Sequence, residues 1–345
     1  MSTEDERKNL QQPITSNNEA WILFMKGRHF MSDLTSEGFM QGRTLLDQAV
    51  ALDPDFVLAH IGLAEYYIMG ATNAIFPRSE IYLQARKEIE TLQRLAPDLP
   101  QTWIWTATFN QWLEWDWKAA DNNFTRAMNM YSGSFNSTDA SELGNYSWFL
   151  SIMNRYDKAF EIDKKALELD PTSPLVTMST GYSLILAGRY DEAIIQIKKA
   201  LELDRNYYFA YLELAWCYCA KGLYEESFKM YESAHKLKPE FDAVKELTWL
   251  KTLALSGQKV EVRTKLNEYL LLQDKHYIGP DLIALVYSAL NEKENAFKWL
   301  VKGYEDRTPI LGLLNTHYNK GYVFKNISSD ARYIELVKRM KLPDN

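Results

Sequence analysis

The sequence predicts an all-α fold, an α-solenoid in which pairs of helices stack one upon the next. Three observations carry this reading. Small side chains recur at a step of 34 residues, at Ala159, Ala193 and Ser227 and again at Ala166, Ala200 and Ala234. A third column, Pro171, Arg205 and Pro239, keeps the same step. The 345 residues include only 15 Gly and 11 Pro, few for a β-rich chain, while 46% apolar residues supply a continuous core.

The columns have a packing cause. Two antiparallel helices cannot bury their apolar faces alone, so each pair needs neighbours. Where the second helix crosses its neighbour, only a small side chain lets the backbones approach, and a bulky one costs about 1–3 kcal/mol. Proline ends that helix and opens the next, because it lacks an N–H and its φ is fixed. The runs ALELDPTSP, ALELDRNYY and HKLKPEF all stand at this junction.

Residues 1–16 are polar and expected to be disordered. The array is expected over 17–328. Its first unit ends in LLDQAVALDP, with Ala49 and Pro54. The second contains GLAEYY, ends at Pro97 and is lengthened by a turn near ATNAIFPRSE. The third holds WDWKAADNNFTRAM, with Ala120, Phe124 and Ala127. The clearest units run over 140–173, 174–207 and 208–241, where Gly181 and Ala215 fill the small position of the first helix. The seventh, 242–276, is degenerate, with Glu261 and Glu268 in the small columns. The eighth recovers the pattern at Ala284, Tyr287, Ala296, Leu300 and Gly303. Residues 329–345 read as an amphipathic capping helix, with Ser329 or Asp330 as cap and Tyr333, Ile334, Leu336 and Val337 as its apolar face.

These columns resemble the tetratricopeptide repeat family. The resemblance implies a right-handed α-solenoid of about eight helix pairs whose inner wall binds a partner protein or peptide. Several runs are more specifically similar to the repeat region of bacterial multidomain regulators of the winged-helix, TolB-like or adenylate cyclase type. They are MKGRHF, the WDW cluster at 115–117 and SSDARYIELVKRMKLP. That likeness implies an alternative role, as the sensing arm of a transcriptional or cyclase regulator whose output domain is absent from this chain.

In this family, positions two, five, nine and twelve of the first helix face the inner wall, a spacing that keeps them on one helical face. Position nine gives Phe109, Trp148, Tyr182, Trp216 and Leu250; position twelve gives Trp112, Ser151, Ile185, Cys219 and Leu253. Position five gives Trp105, Gly144, Met178, Leu212 and Glu246. Trp105, Phe109, Trp112, Trp148, Tyr182 and Trp216 are therefore the candidate groove residues, suited to an apolar or aromatic segment. The same rings at helical spacing would equally serve as core between adjacent helices.

Other chemistry is sparse. The net charge of −7 disfavours a phosphate backbone, so no nucleic acid is expected. Cys217 and Cys219 cannot form a disulfide framework, and a reducing, cytoplasmic setting is expected. No run of 18 apolar residues occurs, so no membrane contact is expected. None of the five histidines has metal-ligand spacing, and no P-loop, G-x-S-x-G or G-x-G-x-x-G run occurs. The expectation is a protein that is not an enzyme and carries no cofactor or metal.

Overall fold

The computed structural model describes residues 15–32, 36–131, 135 and 139–342. Residues 1–14, which hold most of the segment expected to be disordered, lie outside the described residues. Within those described there are α-helices and no strand. The chain divides into two compact units, Met1–Glu114 with Lys118–Ser132, and Trp115–Trp117 with Gly133–Asn345.

The first unit contains α1 (Asn18–Ser32), α2 (Ser36–Leu52), α3 (Val57–Thr72), α4 (Arg78–Leu95) and α5 (Pro100–Phe109). A π-helical turn, Asn110–Glu114, extends α5, and α6 (Trp117–Met130) follows. The insert expected near ATNAIFPRSE is the turn between α3 and α4. Ala74 takes a left-handed φ of 52° there, and Phe76 folds back onto Gly70, where a Cβ would meet its ring at 2.8 Å.

The second unit runs through α7 (Ala140–Ile152), α8 (Tyr156–Leu169), α9 (Pro174–Leu186), α10 (Tyr190–Leu203) and α11 (Tyr208–Ala220). It continues through α12 (Tyr224–Leu237), α13 (Ala243–Leu255), α14 (Lys259–Leu270), α15 (Pro280–Ala289) and α16 (Lys293–Asp306). A 3-10 turn (Pro309–Leu313), a π-helical turn (Asn319–Val323) and α17 (Ala331–Arg339) close it. Prolines 174 and 280 start helices at the position where a missing N–H costs nothing. Ser173 and Asp242 cap α9 and α13, accepting from the backbone N–H of Val176 and Lys245.

The alanine columns lie where the helices cross. Ala159, Ala193, Ala200, Ala215 and Ala234 have no exposed surface, and Ala166 almost none. At Gly181 the fit is closer still, since a Cβ there would stand 2.5 Å from Cγ1 of Ile197. Ser227 keeps its column because its hydroxyl donates to the carbonyl of Ala215 across the crossing, at 2.8 Å. Pro171 and Pro239 sit exposed in the turns between units.

A further column appears in the backbone. Asn154, Gly188, Gly222, Gly257 and Asn291 all take positive φ, from 56° to 104°, at the turn inside each pair. Glycine enters the left-handed region without a Cβ penalty, and asparagine tolerates it. The steps along this column are 34, 34, 35 and 34 residues. The long step locates one extra residue, in the segment Lys238–Asp242 ahead of α13. This corrects the seventh unit. Val262, fully buried, takes the column assigned to Glu261, and Tyr269 takes that of Glu268; both glutamates are exposed. Position nine moves likewise, from Leu250 to Lys251.

The terminal helix α17 is capped by Asp330, which accepts from the N–H of Arg332 at 3.0 Å. Tyr333, Leu336 and Val337 are buried, but Ile334 is exposed and does not belong to the apolar face. Tyr333 donates its hydroxyl to the carbonyl of Leu314 at 2.6 Å, and the indole of Trp117 donates to the carbonyl of Met340 at 2.7 Å.

Candidate functional site

In the second unit, position nine forms a row of side chains on α7, α9, α11 and α13, namely Trp148, Tyr182, Trp216 and Lys251. The three rings are half-buried. Trp148 and Tyr182 meet edge to face, with centroids 5.3 Å apart. The indole N–H of Trp148 is buried without an acceptor. The indole N–H of Trp216 is buried in the same way, although buried polar groups are paired in most folds. Trp216 belongs to a cluster with Leu212, Ala215, Tyr231 and Ala234.

Lys251 is 1% exposed. Burial pulls its ammonium down to about 8. What faces it is a segment of the same chain. The ammonium stands 3.8 Å from the ring centre of Tyr322 and 3.5 Å from the hydroxyl of Tyr318. The same segment continues along the wall. The Tyr190 and Tyr318 rings lie 6.5 Å apart, Tyr156 and His317 5.4 Å, and the N–H of His317 donates to the Tyr156 hydroxyl. Leu314, Thr316, Asn319 and Phe324 are buried. At position twelve, Ser151, Ile185, Cys219 and, with the same one-residue shift, Ala254 are buried too. The partly exposed part of the wall is the aromatic row.

In the first unit the predicted groove residues are buried. Trp105, Phe109 and Trp112 are 7%, 5% and 8% exposed. Tyr82 of α4 stacks on Phe109 with centroids 5.8 Å apart, and Arg78 lies over Tyr82 while donating to the carbonyl of Leu113 at 2.7 Å. Here the aromatic stripe packs the helices together.

Ionisable groups beneath the wall are closed in. Burial pushes the Asp163 carboxyl up to about 7, against the hydroxyls of Ser147 and Ser183 that pull it down. Ser147 itself donates to the carbonyl of Ala159, 3.2 Å away. Glu213 on α11 is raised well above an ordinary glutamate by burial, and is buried with one oxygen unpaired. Cys217 and Cys219 are buried free thiols. Burial pushes the Cys217 thiol well up, the reverse of what a thiolate nucleophile needs. Among the described residues no group of three or more His, Cys, Asp or Glu could hold a metal ion. No described helix is long and apolar enough to cross a membrane.

Sequence reasoning missed Lys251, because one inserted residue breaks the count of 34. The Gly188, Gly222, Gly257 spacing carries the signal that would have found it.

Residues 181–207 match the family model of the tetratricopeptide repeat. No curated protein matches the chain. Among solved structures, a monomeric mutant of IFIT1 with Gppp-AAAA aligns over 98% of this chain and 75% of its own, at 16% identity and a TM-score of 0.59. The human IFIT1 dimer with m7Gppp-AAAA aligns over the same shares at 17% identity and a TM-score of 0.59. YrrB, a TPR protein with an unusual peptide-binding site, aligns over 58% of this chain and 95% of its own at 15% identity, but with a TM-score of 0.35. At these identities the likeness is one of fold. The chain is an all-α solenoid of the tetratricopeptide type, and residues 181–207 are the part that matches the family itself.

Proposed function

We propose that the chain is a non-catalytic protein-interaction scaffold, and that its second unit holds an apolar or aromatic segment of a partner on Trp148, Tyr182 and Trp216. The observation that carries this is the chain's own segment around Tyr318 and Tyr322. It lies on the next position of the same row, against Lys251, and this supports an aromatic preference for the wall. Next to it, three partly exposed rings continue the row and offer aromatic surface to an apolar or aromatic segment. Trp105, Phe109 and Trp112 are left out of the groove. Two unpaired thiols fit a cytoplasmic setting.

The test titrates the intact chain with aromatic-rich peptides, acidic-tail peptides and a capped oligoribonucleotide. It repeats this with Trp148→Ala, Tyr182→Ala and Trp216→Ala combined. Aromatic peptides should bind the parent, and the triple variant should lose them while keeping its helical circular dichroism. Loss of helicity along with binding would make the row packing. Capture of the oligonucleotide alone would replace the protein partner with RNA.

The second reading, a sensing arm of a bacterial transcriptional or cyclase regulator, is favoured by the runs MKGRHF and SSDARYIELVKRMKLP. An output domain in the same reading frame would support it.

A further inference from the structure

The seventh pair departs from its neighbours where helices cross. In the pairs before and after it, the first-helix position is Ser147, Gly181, Ala215 or Ala284, and the late second-helix position is Ala166, Ala200, Ala234 or Gly303. In α13 and α14 the same places hold Leu250 and Tyr269. Tyr269 cannot wedge as an alanine does. Its ring packs on Phe241 with centroids 5.4 Å apart, and its hydroxyl donates to Glu246 at 2.8 Å. Beside this prop, α12, α13 and α14 leave a cavity of ≈ 550 Å³.

The walls of the cavity have a definite chemistry. Phe228 and Trp249 supply aromatic surface, and Glu225, Glu232, Glu246 and Glu261 supply four carboxylates. Glu246 is held in place by Tyr269 and by the Lys245 ammonium, 3.4 Å away. Lys245 is otherwise committed to the carbonyls of Lys238 and Glu240, at 2.7 and 2.9 Å. Glu225, Glu232 and Glu261 form no ion pair among the described residues. One cation already reads the site, since the Lys265 ammonium lies 5.6 Å from the centre of the Trp249 ring and has no carboxylate partner among the described residues. Lys245 and Lys265 thus set two positive charges against four negative ones, and one of the two is locked away.

We propose that this cavity receives a cationic side chain of a partner polypeptide, with arginine preferred. A guanidinium is planar, so it can lie on the Trp249 face in place of Lys265 and direct its N–H fork at Glu246 or Glu261. A lysine ammonium meets the same charge but lacks the fork. The site shares no residue with the row Trp148, Tyr182 and Trp216, and stands or falls separately from it.

The experiment uses the full chain. A blocked tripeptide with arginine at its centre, and the same peptide with citrulline, are titrated by calorimetry and by the indole N–H resonance of Trp249. That resonance is assigned by its loss in Trp249→Phe. The arginine peptide should shift it saturably, and citrulline, which keeps the shape but loses the charge, should bind roughly tenfold more weakly or worse. Glu232→Gln with Glu261→Gln should weaken the arginine peptide about threefold or more at unchanged helicity, since both residues are on the rim. Lys265→Ala should tighten it, because the internal competitor for the ring is gone. Equal binding of the two peptides overturns the proposal. So does an arginine complex indifferent to the glutamate changes and to Lys265→Ala.

Discussion

Gly181→Ala adds one methyl group at the crossing of α9 and α10, and the structure sets its cost. The new Cβ would meet Ile197 at 2.5 Å from Cγ1 and 3.3 Å from Cδ1. Carbons in contact prefer about 3.5–4.0 Å, so about 1 Å must be found. Ile197 is fully buried, so it can yield only against its packed neighbours. Overpacking of this kind costs about 1–3 kcal/mol. Replacing a helical glycine by alanine returns about 1 kcal/mol. The net expectation is a loss of up to about 2 kcal/mol. Ile197→Ala removes the atoms that are struck, and costs about 2–5 kcal/mol alone. In that background Gly181→Ala should become a gain of about 1 kcal/mol, so the two changes couple favourably. Urea unfolding followed by far-UV circular dichroism measures all four proteins, with midpoint and slope fitted separately because repeat arrays can depart from two-state behaviour. If Gly181→Ala stabilises the parent by about 1 kcal/mol, the crossing has room and the packing account of the 34-residue step fails.

Two further predictions concern pH. His60 of α3 places Nδ1 2.6 Å from Glu88 and Nε2 2.9 Å from the carbonyl of Pro54. Both partners can only accept, so the ring is held as imidazolium. Burial lowers its pKa, but these two bonds outweigh it and the net shift is upward from 6.5. The stability it contributes is present below 6.5 and lost as pH rises through the folded value. Thermal unfolding between neutral and mildly alkaline pH should show this slope in the parent and not in His60→Gln. Asp163 works in the opposite sense, because burial raises it from 3.8 to about 7. Between those values the native state holds a proton that the unfolded state releases, so stability falls as pH rises through the window. Asp163→Asn should exceed the parent in stability at mildly alkaline pH, by up to about 4 kcal/mol. The advantage should vanish near pH 3.8. Denaturant midpoints across that range decide it, and a constant difference between the two proteins would count against a buried protonated acid.

The repeat architecture was legible because close helix crossings leave a mark in single residues. Ala159, Ala193 and Ala200 could be read directly, and all three are wedged. The seventh pair was misread by one position, since a fixed count cannot sense the residue added ahead of Asp242. The left-handed turn at Gly257 could have reset the count. The candidate wall was legible only as a helical face. That Tyr318 and Tyr322 lie on Lys251 follows from tertiary folding across 67 residues, which no periodicity encodes. The same applies to the first unit. Nothing in the spacing of Trp105, Phe109 and Trp112 shows that Tyr82 and Arg78 lie over the stripe from the preceding pair. A π-helical turn at Asn110–Glu114 also alters the helical count under Trp112.

The bond from Trp117 to the carbonyl of Met340 joins residues 223 apart in sequence. Trp115 adds to it by meeting the ring of Tyr304 at 5.9 Å. In a simple repeat stack the last helix answers only to its neighbour and is first to fray. Here its end is fastened to a residue of the same unit that lies ahead of α7 in sequence, so amide exchange along Ala331–Arg339 should approach the slow rate of global opening. Such a fastening forms only after a long loop has closed. It should therefore be among the last steps of folding, and it slows assembly in return for a quieter terminus.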